Sequence, residues 1–295
     1  MKKLTIFTPT YNRAYTLGKC YESLKKQTCN DFIWLIIDDG STDDTSKLVD
    51  KWIKDNKVEI RYYYQENQGM HGAHNTAYSL IDTELNTCID SDDYMTNDAV
   101  EKILNFWRDN RSNKLAGIAA LDATEGGQII GTKFPSGLKE SKYFDIYHRF
   151  GVKGDKKLIY RTELMKDNPY PIFKGEKYVS LAYKYSKLDE KYDLALMNEI
   201  VCIVEYMTDG SSKNMLRQYR NNPKGFSFIR LESLSNPRAN LLFKFKECIH
   251  YVSSSLILKN RNYLRETPCK IMTILAIPFG IILYYHIMKN TKLAK

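Results

Sequence analysis

The sequence predicts an α/β fold built on a doubly wound sheet with helices on both faces. Apolar runs typical of buried strands alternate with amphipathic stretches typical of helices from residue 3 to residue 121. Polar and acidic residues directly follow three of these runs, as "TPTYN" (8–12), "DDGS" (38–41) and "DSDD" (90–93). Ligands of doubly wound sheets bind at the carboxyl ends of the strands, at the switch point in strand order. We therefore expect the three clusters to meet at one mouth.

The first part of this pattern contains two strands and two helices. "KLTIFTPTY" (3–11) is a buried strand that ends in a turn, and residues 13–27 are expected to form a helix with one apolar face. "FIWLIIDDGS" (32–41) is apolar enough for the interior of a parallel sheet and ends in two acids. Ser41 is predicted to cap a helix that reaches about Lys54.

The second part repeats the alternation. Its expected elements are, in order, a strand "VEIRYYYQ" (58–65), a helix over 73–81, a strand "LNTCID" (85–90), a helix capped by Thr96 or Asn97 that runs to Trp107, and a strand "LAGIAAL" (115–121). Strands that alternate with helices in this way favour a largely parallel sheet.

The charge of the chain is divided unevenly along its length. The 295 residues carry a formal net charge of +9. Residues 211–295 contain 15 Lys/Arg against 3 Asp/Glu, a net of +12, whereas residues 1–210 contain 29 against 32, a net of −3. Such asymmetry suggests an anionic partner for the tail, either membrane lipid or nucleic acid.

The cysteines and the N-terminus both indicate a reducing compartment. The six cysteines show no CxxC spacing and predict buried free thiols, neither a disulfide framework nor a zinc site. They are Cys20, Cys29, Cys88, Cys202, Cys248 and Cys269. The N-terminal "MKKLTIFTPTYNR" has too short an apolar run for a signal peptide and is better interpreted as the first strand. We therefore expect the protein to stay in the cytoplasm.

The acidic turn "CIDSDDY" (88–94) predicts a metal site. Asp90 and Asp92 are two residues apart across a turn, so both carboxylates can reach one divalent ion. Hard oxygen ligands with few protein contacts suit Mg²⁺ or Mn²⁺ that bridges substrate phosphates. The cation would also offset the mutual repulsion of the acids and neutralise a diphosphate leaving group. The alternative is an idle, solvated surface turn.

Two further clusters are predicted to contact a nucleotide. The strand-end acids Asp38 and Asp39 are interpreted as ligands of its base or ribose. "IDDGSTDDT" (37–45) is not a calcium loop, because the twelfth position holds Leu48 instead of glutamate. The alternative, a plain helix cap, applies to Asp43 and Asp44, the later acids of that segment.

The turn "ENQGMHGAHN" (66–75) is polar, contains glycine and precedes a helix. His71, His74 and Asn75 are expected to line the phosphate side of the site. The two histidines are three residues apart, but no carboxylate or thiol nearby in sequence completes a zinc site.

Four of these motifs together resemble one known family. "TPTYNR", "IIDDGSTDDT", "NQGMHGAHN" and "CIDSDDY" resemble, in this order and spacing, the large inverting family-2 glycosyltransferases of GT-A fold. The resemblance covers residues 3–110 well and extends more loosely to about 215. It implies a nucleoside-diphosphate-sugar donor, usually a UDP-sugar, and Mn²⁺ or Mg²⁺. It implies that the base and ribose lie near Thr8, Pro9, Tyr11 and Asp39, and the ribose and metal near Asp90 and Asp92.

The resemblance also implies a division of the chain. A GT-A catalytic domain is expected over 1–215, with a nucleotide-sugar half to about 120 and an acceptor half after it. Residues 151–180 resemble a segment of bacterial members that build surface polysaccharides. Residues 205–214 would close over the diphosphate, with Asp209 assisting the metal and Ser211 or Ser212 bonding phosphate. A helical, basic, membrane-associating extension is expected over 216–295.

Inverting transfer needs a carboxylate base that takes the proton of the acceptor hydroxyl. The chain offers Glu176 in "KGEK" and Asp155 in "KGDK". Glu176 is preferred because it precedes the helical stretch "VSLAYKYSKL" (179–188). For either acid the alternative is an ion pair with its neighbouring lysines.

The C-terminal tail predicts attachment to a membrane. Residues 271–288 form an 18-residue run without Lys, Arg, Asp or Glu, flanked by basic residues on both sides. A spanning helix needs ~20 apolar residues, and Pro278 and Gly280 interrupt this run. An interfacial or re-entrant helix held by anionic lipid on the cytoplasmic face is therefore favoured over a true span, with a buried core helix as the other alternative. There the enzyme would meet a lipid-linked saccharide acceptor, and the long uncharged run argues against nucleic acid as the partner.

Rival functions fit the motifs less well. A nucleotidyltransferase would carry a glycine-rich basic loop after its first strand, where this chain has "TPTYNRAYT". A haloacid-type phosphatase needs its DxD after the first strand, whereas this one follows the fourth. An inactive nucleotide-sugar-binding protein remains an alternative, against which the intact Asp90 and Asp92 argue.

Overall fold

The computed structural model describes residues 2–205, 207 and 214–291. The chain divides into two compact units, and each is described by itself. The first unit comprises Met1–Pro169 and Lys184–Tyr206, and the second comprises Tyr170–Tyr183 and Met207–Lys295.

The described part of the first unit contains a nine-stranded mixed sheet. The strands are β1 Leu4–Thr10, β2 Phe32–Asp38, β3 Ile60–Tyr64, β4 Leu85–Cys88, β5 Tyr94–Met95, β6 Leu115–Ala123, β7 Glu140–Ser141, β8 Lys156–Arg161 and β9 Asp193–Ile203. Their order is β3-β2-β1-β4-β8-β6-β9-β5, and β7 pairs with β9. The first four strands run parallel, whereas β8 runs antiparallel to both β4 and β6. The carboxyl ends of β1 to β4 therefore meet at one edge.

Helices pack on both faces of this sheet, so the doubly wound α/β prediction is confirmed. They are α1 Leu17–Lys25, α2 Thr45–Asp55, α3 Met70–Leu80, α4 Ala99–Asn110, α5 Tyr143–His148, α6 Thr162–Met165 and α7 Ala182–Asp189, which begins in the second unit. On one face, Tyr21 stacks on Trp52 with ring centroids 4.4 Å apart, inside the core that α1, α2 and α4 cover. On the other face, Phe7 of β1 meets Tyr78 of α3 edge to face. Successive strand residues point to opposite faces, which is why β1 serves both layers.

Four predicted helix starts differ from the structure, and helix α3 begins at Met70, three residues before the predicted start at 73. Helix α1 begins at Leu17, because the residues after Asn12, whose φ is +53°, first form a turn. Helix α2 begins at Thr45 and not after Ser41, whose backbone N–H donates to Asp38 Oδ1 (2.8 Å). Helix α4 begins at Ala99 and follows Asp98, not Thr96 or Asn97.

The second unit is helical. Its helices are α8 Met215–Asn221, α9 Pro223–Leu234, α10 Leu241–Leu258, α11 Tyr263–Glu266 and α12 Lys270–Asn290. Helices α10 and α12 pack so closely that a Cβ on Gly280 would lie 2.5 Å from the Val252 side chain. Helix α12 continues through Pro278 and Gly280, so neither residue ends it. All six cysteines are free, as predicted, but only Cys20, Cys202 and Cys248 are buried.

Candidate functional site

The turns that follow β1 and β2 are joined by side chains to backbone. The Asn12 backbone N–H donates to Ser41 Oγ (2.9 Å), and its side-chain Oδ1 accepts from the Thr42 N–H (2.7 Å). The Ala14 N–H donates to Asp43 Oδ2 (3.0 Å). Asparagine is one of the few residues that adopt positive φ readily, which explains its place at this bend. The clusters at 8–12 and 38–41, which were expected to meet, are therefore connected.

Asp39 joins the third turn to these clusters. Its carboxylate is buried and accepts hydrogen bonds from Gln65 Nε2 (2.7 Å), the Gln68 N–H (2.8 Å) and the Gly69 N–H (2.8 Å). Gly40 beside it has φ +90°, and a Cβ there would lie 3.0 Å from the Asn67 backbone nitrogen. Asp39 thus holds the turn before α3 against the end of β2. Its predicted contact with the nucleotide base stays a prediction.

The other residues predicted to contact the nucleotide differ in their exposure and in the hydrogen bonds that they already make within the protein. Asp38 is buried, with Oδ1 on the Ser41 N–H and Oδ2 accepting from the Tyr62 hydroxyl (2.6 Å). The Thr8 hydroxyl accepts from Trp34 Nε1 (2.9 Å) in the core. Tyr11 is 50% exposed at the mouth. Pro9, near the end of β1, is half-buried.

The acidic turn follows β4 directly and places its three carboxylates at different depths. The Asp93 N–H donates to the Asp90 carbonyl (3.0 Å) and closes the turn. Asp90 is exposed, Asp92 is half-buried and Asp93 is buried. Asp93 Oδ1 accepts from the Glu205 N–H (3.2 Å) and so fixes the chain beyond β9. Burial raises the pKa of Asp93 to about 7, and the neighbouring Asp90 adds to that rise.

The carboxylates of Asp90 and Asp92 fit an Mg²⁺ or Mn²⁺ ion that is shared with a substrate. Among the described residues, no group of three or more His, Cys, Asp and Glu is arranged to hold a metal ion by itself. The two candidate ligands, Asp90 and Asp92, are oxygen donors in a turn that is open to solvent at Asp90. Magnesium-type sites commonly use one or two carboxylates, water and substrate phosphates, so an incomplete protein shell is what such a site requires.

A lysine lies beneath this turn. Lys157 of β8 is buried, and its Nζ donates to the carbonyl of Cys88, the last residue of β4 (3.4 Å). Asp122 of β6 is also buried, and its Oδ1 has no hydrogen-bond partner in the part of the chain that the structure describes. Burial raises the pKa of Asp122, and Lys157 is the first of the charges that oppose this rise.

The histidine segment lies on α3. His74 is fully buried, donates from Nδ1 to the Met70 carbonyl (2.9 Å) and meets the Phe7 ring edge to face. Burial lowers the pKa of His74 to about 4, so its imidazole is neutral near pH 7. Asn75 is half-buried beside it, and His71 is buried. The predicted contacts of this segment with phosphate stay predictions, and a neutral His74 would make its contact without charge.

Asp155, one candidate base, stands in a rigid loop of the first unit. It is exposed, and the next residue, Lys156, directs Nζ at four backbone carbonyls between 2.8 and 3.2 Å away. Those carbonyls belong to Ile130, Lys153, Gly154 and Asp155. A Cβ on Gly131 would lie 1.8 Å from the Lys153 carbonyl, so the two loops interlock.

Glu176, the preferred candidate base, lies in the second unit. Its two carboxylate oxygens accept from the backbone N–H groups of Lys224 and Gly225 (2.9 Å each) at the start of α9. The first N–H groups of a helix lack partners within the helix, and a carboxylate there is stabilised by the helix dipole. Burial raises the pKa of Glu176 more than these two bonds lower it. Glu176 therefore anchors α9, and its role as base stays a prediction.

Several residues near the carboxyl ends of the strands make contacts that the sequence did not predict. Asn12, Gln65, Asp122 and Lys157 make or surround these contacts, yet only Asn12 carries a local signal, as a turn residue directly after a strand. Asp209, expected to assist the metal, and Ser211 and Ser212, the candidate phosphate ligands, lie outside the described residues.

Curated relatives match the N-terminal part of the chain. Over 101 residues it is 39% identical to the teichoic acid poly(glycerol phosphate) polymerase of Staphylococcus epidermidis, which is 34% of this chain and 14% of that protein. Over 106 residues it is 32% identical to a GalNAc(5)-diNAcBac-PP-undecaprenol beta-1,3-glucosyltransferase of Campylobacter jejuni, which is 35% of this chain and 34% of that protein. The chain thus spans no more than about a third of the length of either relative.

Solved structures share the fold over nearly the whole chain. S. aureus TarS 1–349 in complex with UDP-GlcNAc superposes with a TM-score of 0.65 at 17% identity, covering 97% of this chain and 90% of that one. The mannosyltransferase PcManGT from Pyrobaculum calidifontis, in complex with GDP-Man and Mn²⁺, gives 0.57 at 14% identity, covering 99% and 76%. At these identities the likeness establishes the fold alone, which is the GT-A fold expected from the motifs.

The family itself follows from a match that spans more than half of the chain. The model of "Glycosyl transferase family 2" matches residues 5–167, which include β1 to β4, the three joined turns, the acidic turn and Asp155. This confirms the resemblance carried by the four motifs. The chain belongs to glycosyl transferase family 2.

Proposed function

We propose that the protein transfers a sugar from a nucleoside-diphosphate-sugar, best a UDP-sugar, to a saccharide acceptor with inversion at the anomeric carbon. One observation carries the proposal: in a family-2 chain, an exposed Asp90 and a half-buried Asp92 follow β4 beside the joined turns of β1 and β2. The TarS complex with UDP-GlcNAc, a protein of the same fold, supports a UDP-sugar as donor.

The joined turns are proposed to bind the nucleotide. Asp39 keeps the 65–69 turn in place, which prepares a surface for the base and ribose, and the exposed Tyr11 ring provides an apolar face beside it. Because these contacts exist before the donor arrives, binding does not have to order the loops.

A divalent cation is proposed at Asp90 and Asp92. Bound there, Mn²⁺ or Mg²⁺ would neutralise charge on the departing diphosphate. The Mn²⁺ in the PcManGT complex supports this choice for the fold. The chain's own contribution is to hold the two carboxylates in the turn that the Asp93 N–H closes on the Asp90 carbonyl.

A carboxylate is proposed to take the proton of the acceptor hydroxyl. Glu176 remains the preferred candidate, as the sequence suggested. The rise of its pKa on burial suits a base that works near neutral pH. Asp155 is the alternative, held exposed by the interlocked loops around Lys156.

The acceptor is proposed to be a growing, lipid-linked bacterial surface polysaccharide, which the enzyme would meet at the membrane that holds the lipid carrier. The Campylobacter relative, whose name includes undecaprenol, supports a lipid-linked acceptor. In the second unit, α12 is 21 residues long and by length and composition could cross a membrane. An apolar cavity of about 790 Å³ lies beside it, lined by residues of α10 and α12 that include the exposed Leu241 and Ile271.

These features support attachment to the cytoplasmic face of the membrane. Lysines and arginines near anionic headgroups contribute ~1 kcal/mol each, and the tail has an excess of them. The exposed apolar side chains would enter the interface.

The test is turnover of a panel of nucleotide-sugars, with and without Mn²⁺, on lipid-linked acceptors. We expect one UDP-sugar to raise the melting temperature only when the cation is present, and to be consumed when acceptor is added. Binding without turnover on any acceptor would indicate a binding protein, and turnover that chelator leaves unchanged would remove the metal from the proposal.

A further inference from the structure

We propose that the apolar cavity at the N-terminal ends of α10 and α12 binds the hydrocarbon chain of a single-chain lipid phosphate, with Lys270 beside the phosphate. The inference rests on the proposed function, because such a lipid is the proposed carrier of the acceptor. It adds a specific site for one lipid molecule to the general attraction between the basic second unit and an anionic membrane.

The cavity is large and its lining is almost wholly apolar. Its volume is about 790 Å³. Leu241 and Leu242 of α10 and Ile271 and Leu275 of α12 contribute to the lining, and all four side chains are exposed. Apolar surface in water is unfavourable, and large exposed apolar surfaces commonly mark an interaction site. The cavity therefore suits a hydrocarbon ligand.

Packing between α10 and α12 holds the walls of the cavity in place. Phe245, which lines the cavity, meets the Phe279 ring edge to face with centroids 5.7 Å apart. One turn further along α10, the Thr273 hydroxyl lies 3.4 Å from Cys248 Sγ. Because these contacts exist without a ligand, binding does not have to order the two helices.

The cavity is continuous with the face of α12 that is proposed to contact the membrane. Ile271 and Leu275 line the cavity, and Phe279 and Ile282 follow them at helical spacing. All four side chains are exposed. A lipid chain could therefore pass from the membrane along α12 into the cavity while it stays in contact with apolar side chains.

The charges around the cavity favour a phosphate head. Of the described residues that line it, Lys270 alone is charged. Residues 236–272 contain 7 Lys/Arg against 2 Asp/Glu. Both acids already have partners, because Glu247 lies in a buried ion pair and Glu266 accepts from Asn260 Nδ2 (2.8 Å). The surroundings of the cavity therefore attract anions.

The shape of the cavity favours a lipid with one chain for each phosphate. A bilayer phospholipid carries two chains on its phosphate, whereas a polyprenyl phosphate carries one. A groove between two helices accommodates one chain, and the second chain of a phospholipid would have to lie outside it. The occupant is therefore assigned as the lipid carrier and not as a lipid of the bilayer.

The first experiment uses two cysteines of the chain as reporters. Cys269 lines the cavity and Cys29 lies in the first unit, and both are free and half-buried. Farnesyl phosphate, a single-chain lipid phosphate, is added to the full-length protein, and alkylation of each thiol is followed by peptide mass spectrometry. We expect a saturating concentration to slow the alkylation of Cys269 about tenfold, because mainly the unoccupied protein reacts, and to leave Cys29 unchanged.

Three further compounds test the head and the number of chains. Inorganic phosphate has no chain, farnesol has no charge, and dioctanoyl phosphatidylglycerol has two chains on its phosphate. Each should protect Cys269 less than farnesyl phosphate does at equal concentration. Equal protection by farnesol would contradict the role of Lys270, and equal protection by phosphatidylglycerol would make the cavity a site for bilayer lipid. Protection that rises with protein concentration in the absence of lipid would indicate a second copy of the chain and would also contradict the inference.

Two pairs of variants locate the site. Lys270→Gln should weaken binding of farnesyl phosphate about fivefold, whereas Lys289→Gln, near the other end of α12, should leave it unchanged. Met272→Trp adds apolar bulk to the cavity lining and should abolish protection, whereas Ile282→Trp adds bulk on the exposed face outside that lining. If Met272→Trp does not fold, the pair of exposed lysines still decides. Equal effects of the two lysine variants would show only a general attraction of charge and would overturn the inference.

The outcomes separate this inference from the proposed function. If farnesyl phosphate leaves Cys269 unprotected while a nucleotide-sugar is still turned over, the lipid site alone is wrong. If farnesyl phosphate protects Cys269 but no nucleotide-sugar is bound or turned over, the cavity is a lipid site in a protein whose proposed activity is wrong.

Discussion

The two units of the chain use charge and apolar surface in opposite ways. In the first unit, carboxylates gather at the ends of parallel strands, and backbone N–H groups hold the carboxylate of Asp39 there. In the second unit, the acid Glu247 forms a buried ion pair with Arg230, and the large apolar side chains of α12 face outward. The first arrangement builds a site for a charged ligand, and the second leaves a surface that suits a lipid boundary.

The two units also differ in the kind of signal that their sequences offer. The acids of the first unit stand in short motifs at fixed strand ends, so individual residues could be named in advance. The second unit gives only a compositional signal, the excess of Lys and Arg around a long uncharged run. One carboxylate in each unit nevertheless has the same task, because Asp39 and Glu176 both accept backbone N–H groups at the start of a helix or turn.

The largest effect should come from the proposed metal site of the first unit. Asp92→Asn removes a charged ligand with little change in shape, and we expect transfer to fall about a thousandfold or more. Steady-state transfer at limiting Mn²⁺ is the measurement. Asp98→Asn serves as the control, since Asp98 is a partly exposed acid paired with Lys102 outside the mouth. Near wild-type activity in Asp92→Asn would show that this carboxylate is not a ligand.

The next largest effect concerns the catalytic base, for which the candidates are Glu176 in the second unit and Asp155 in the first. Glu176→Gln should slow the chemical step by roughly two to four orders of magnitude while donor and metal binding persist. Because Glu176 also anchors α9, its melting temperature should be recorded in parallel with single-turnover rates. If Glu176→Gln only lowers the melting temperature and Asp155→Asn slows the chemistry, the base lies in the first unit.

The parts of the fold that sequence predicted are those whose signals are local. Strands β1 to β4 and the clusters at their ends follow from apolar runs and turn residues. Strand β8 did not, because its two initial lysines conceal an apolar pattern, and the carbonyls that bind them belong to Cys88 and to loop residues at 130 and 153–155. Glu176 shows the same limit: its partners at 224 and 225 are nearly fifty residues away, and nothing near "KGEK" in the sequence indicates them.

A smaller effect is expected for vesicle binding, which should depend on the surface of the second unit and not on that of the first. Ile271 and Leu275 of α12 are 79% and 63% exposed. Ile271→Glu and Leu275→Glu should each reduce binding of the full-length protein to anionic vesicles about thirtyfold, because burial of such a side chain contributes about 2 kcal/mol. Ile53→Glu, an exposed position on α2 of the first unit, should change binding little. Flotation at low and high salt is the measurement, and equal binding by all three variants would remove α12 from the membrane contact.

The smallest predicted effect concerns acid stability, where the two units should again differ. Burial lowers the pKa of His250 in the second unit to about 4, from 6.5 in an unfolded chain. The unfolded state therefore binds more protons between pH 6.5 and 4, and the stability that a neutral His250 contributes is lost as the pH falls through this window. In the first unit, His74 has the same shift, but Asp93 has the opposite one, to about 7 from 3.8. Its contribution is lost as the pH rises from about 4 to 7, so it offsets that of His74.

Acid sensitivity between pH 7 and 5 should therefore come more from the second unit than from the first. His250→Phe keeps a ring beside Tyr219, and we expect it to reduce the fall in melting temperature over this range by a few degrees, since at most about 2 kcal/mol is involved. Asp93→Asn should increase the fall instead, because it removes the group that opposes His74. Melting curves at half-unit steps of pH measure both. If His250→Phe leaves the slope unchanged while Asp93→Asn flattens it, the acid-sensitive groups lie in the first unit and not in the second.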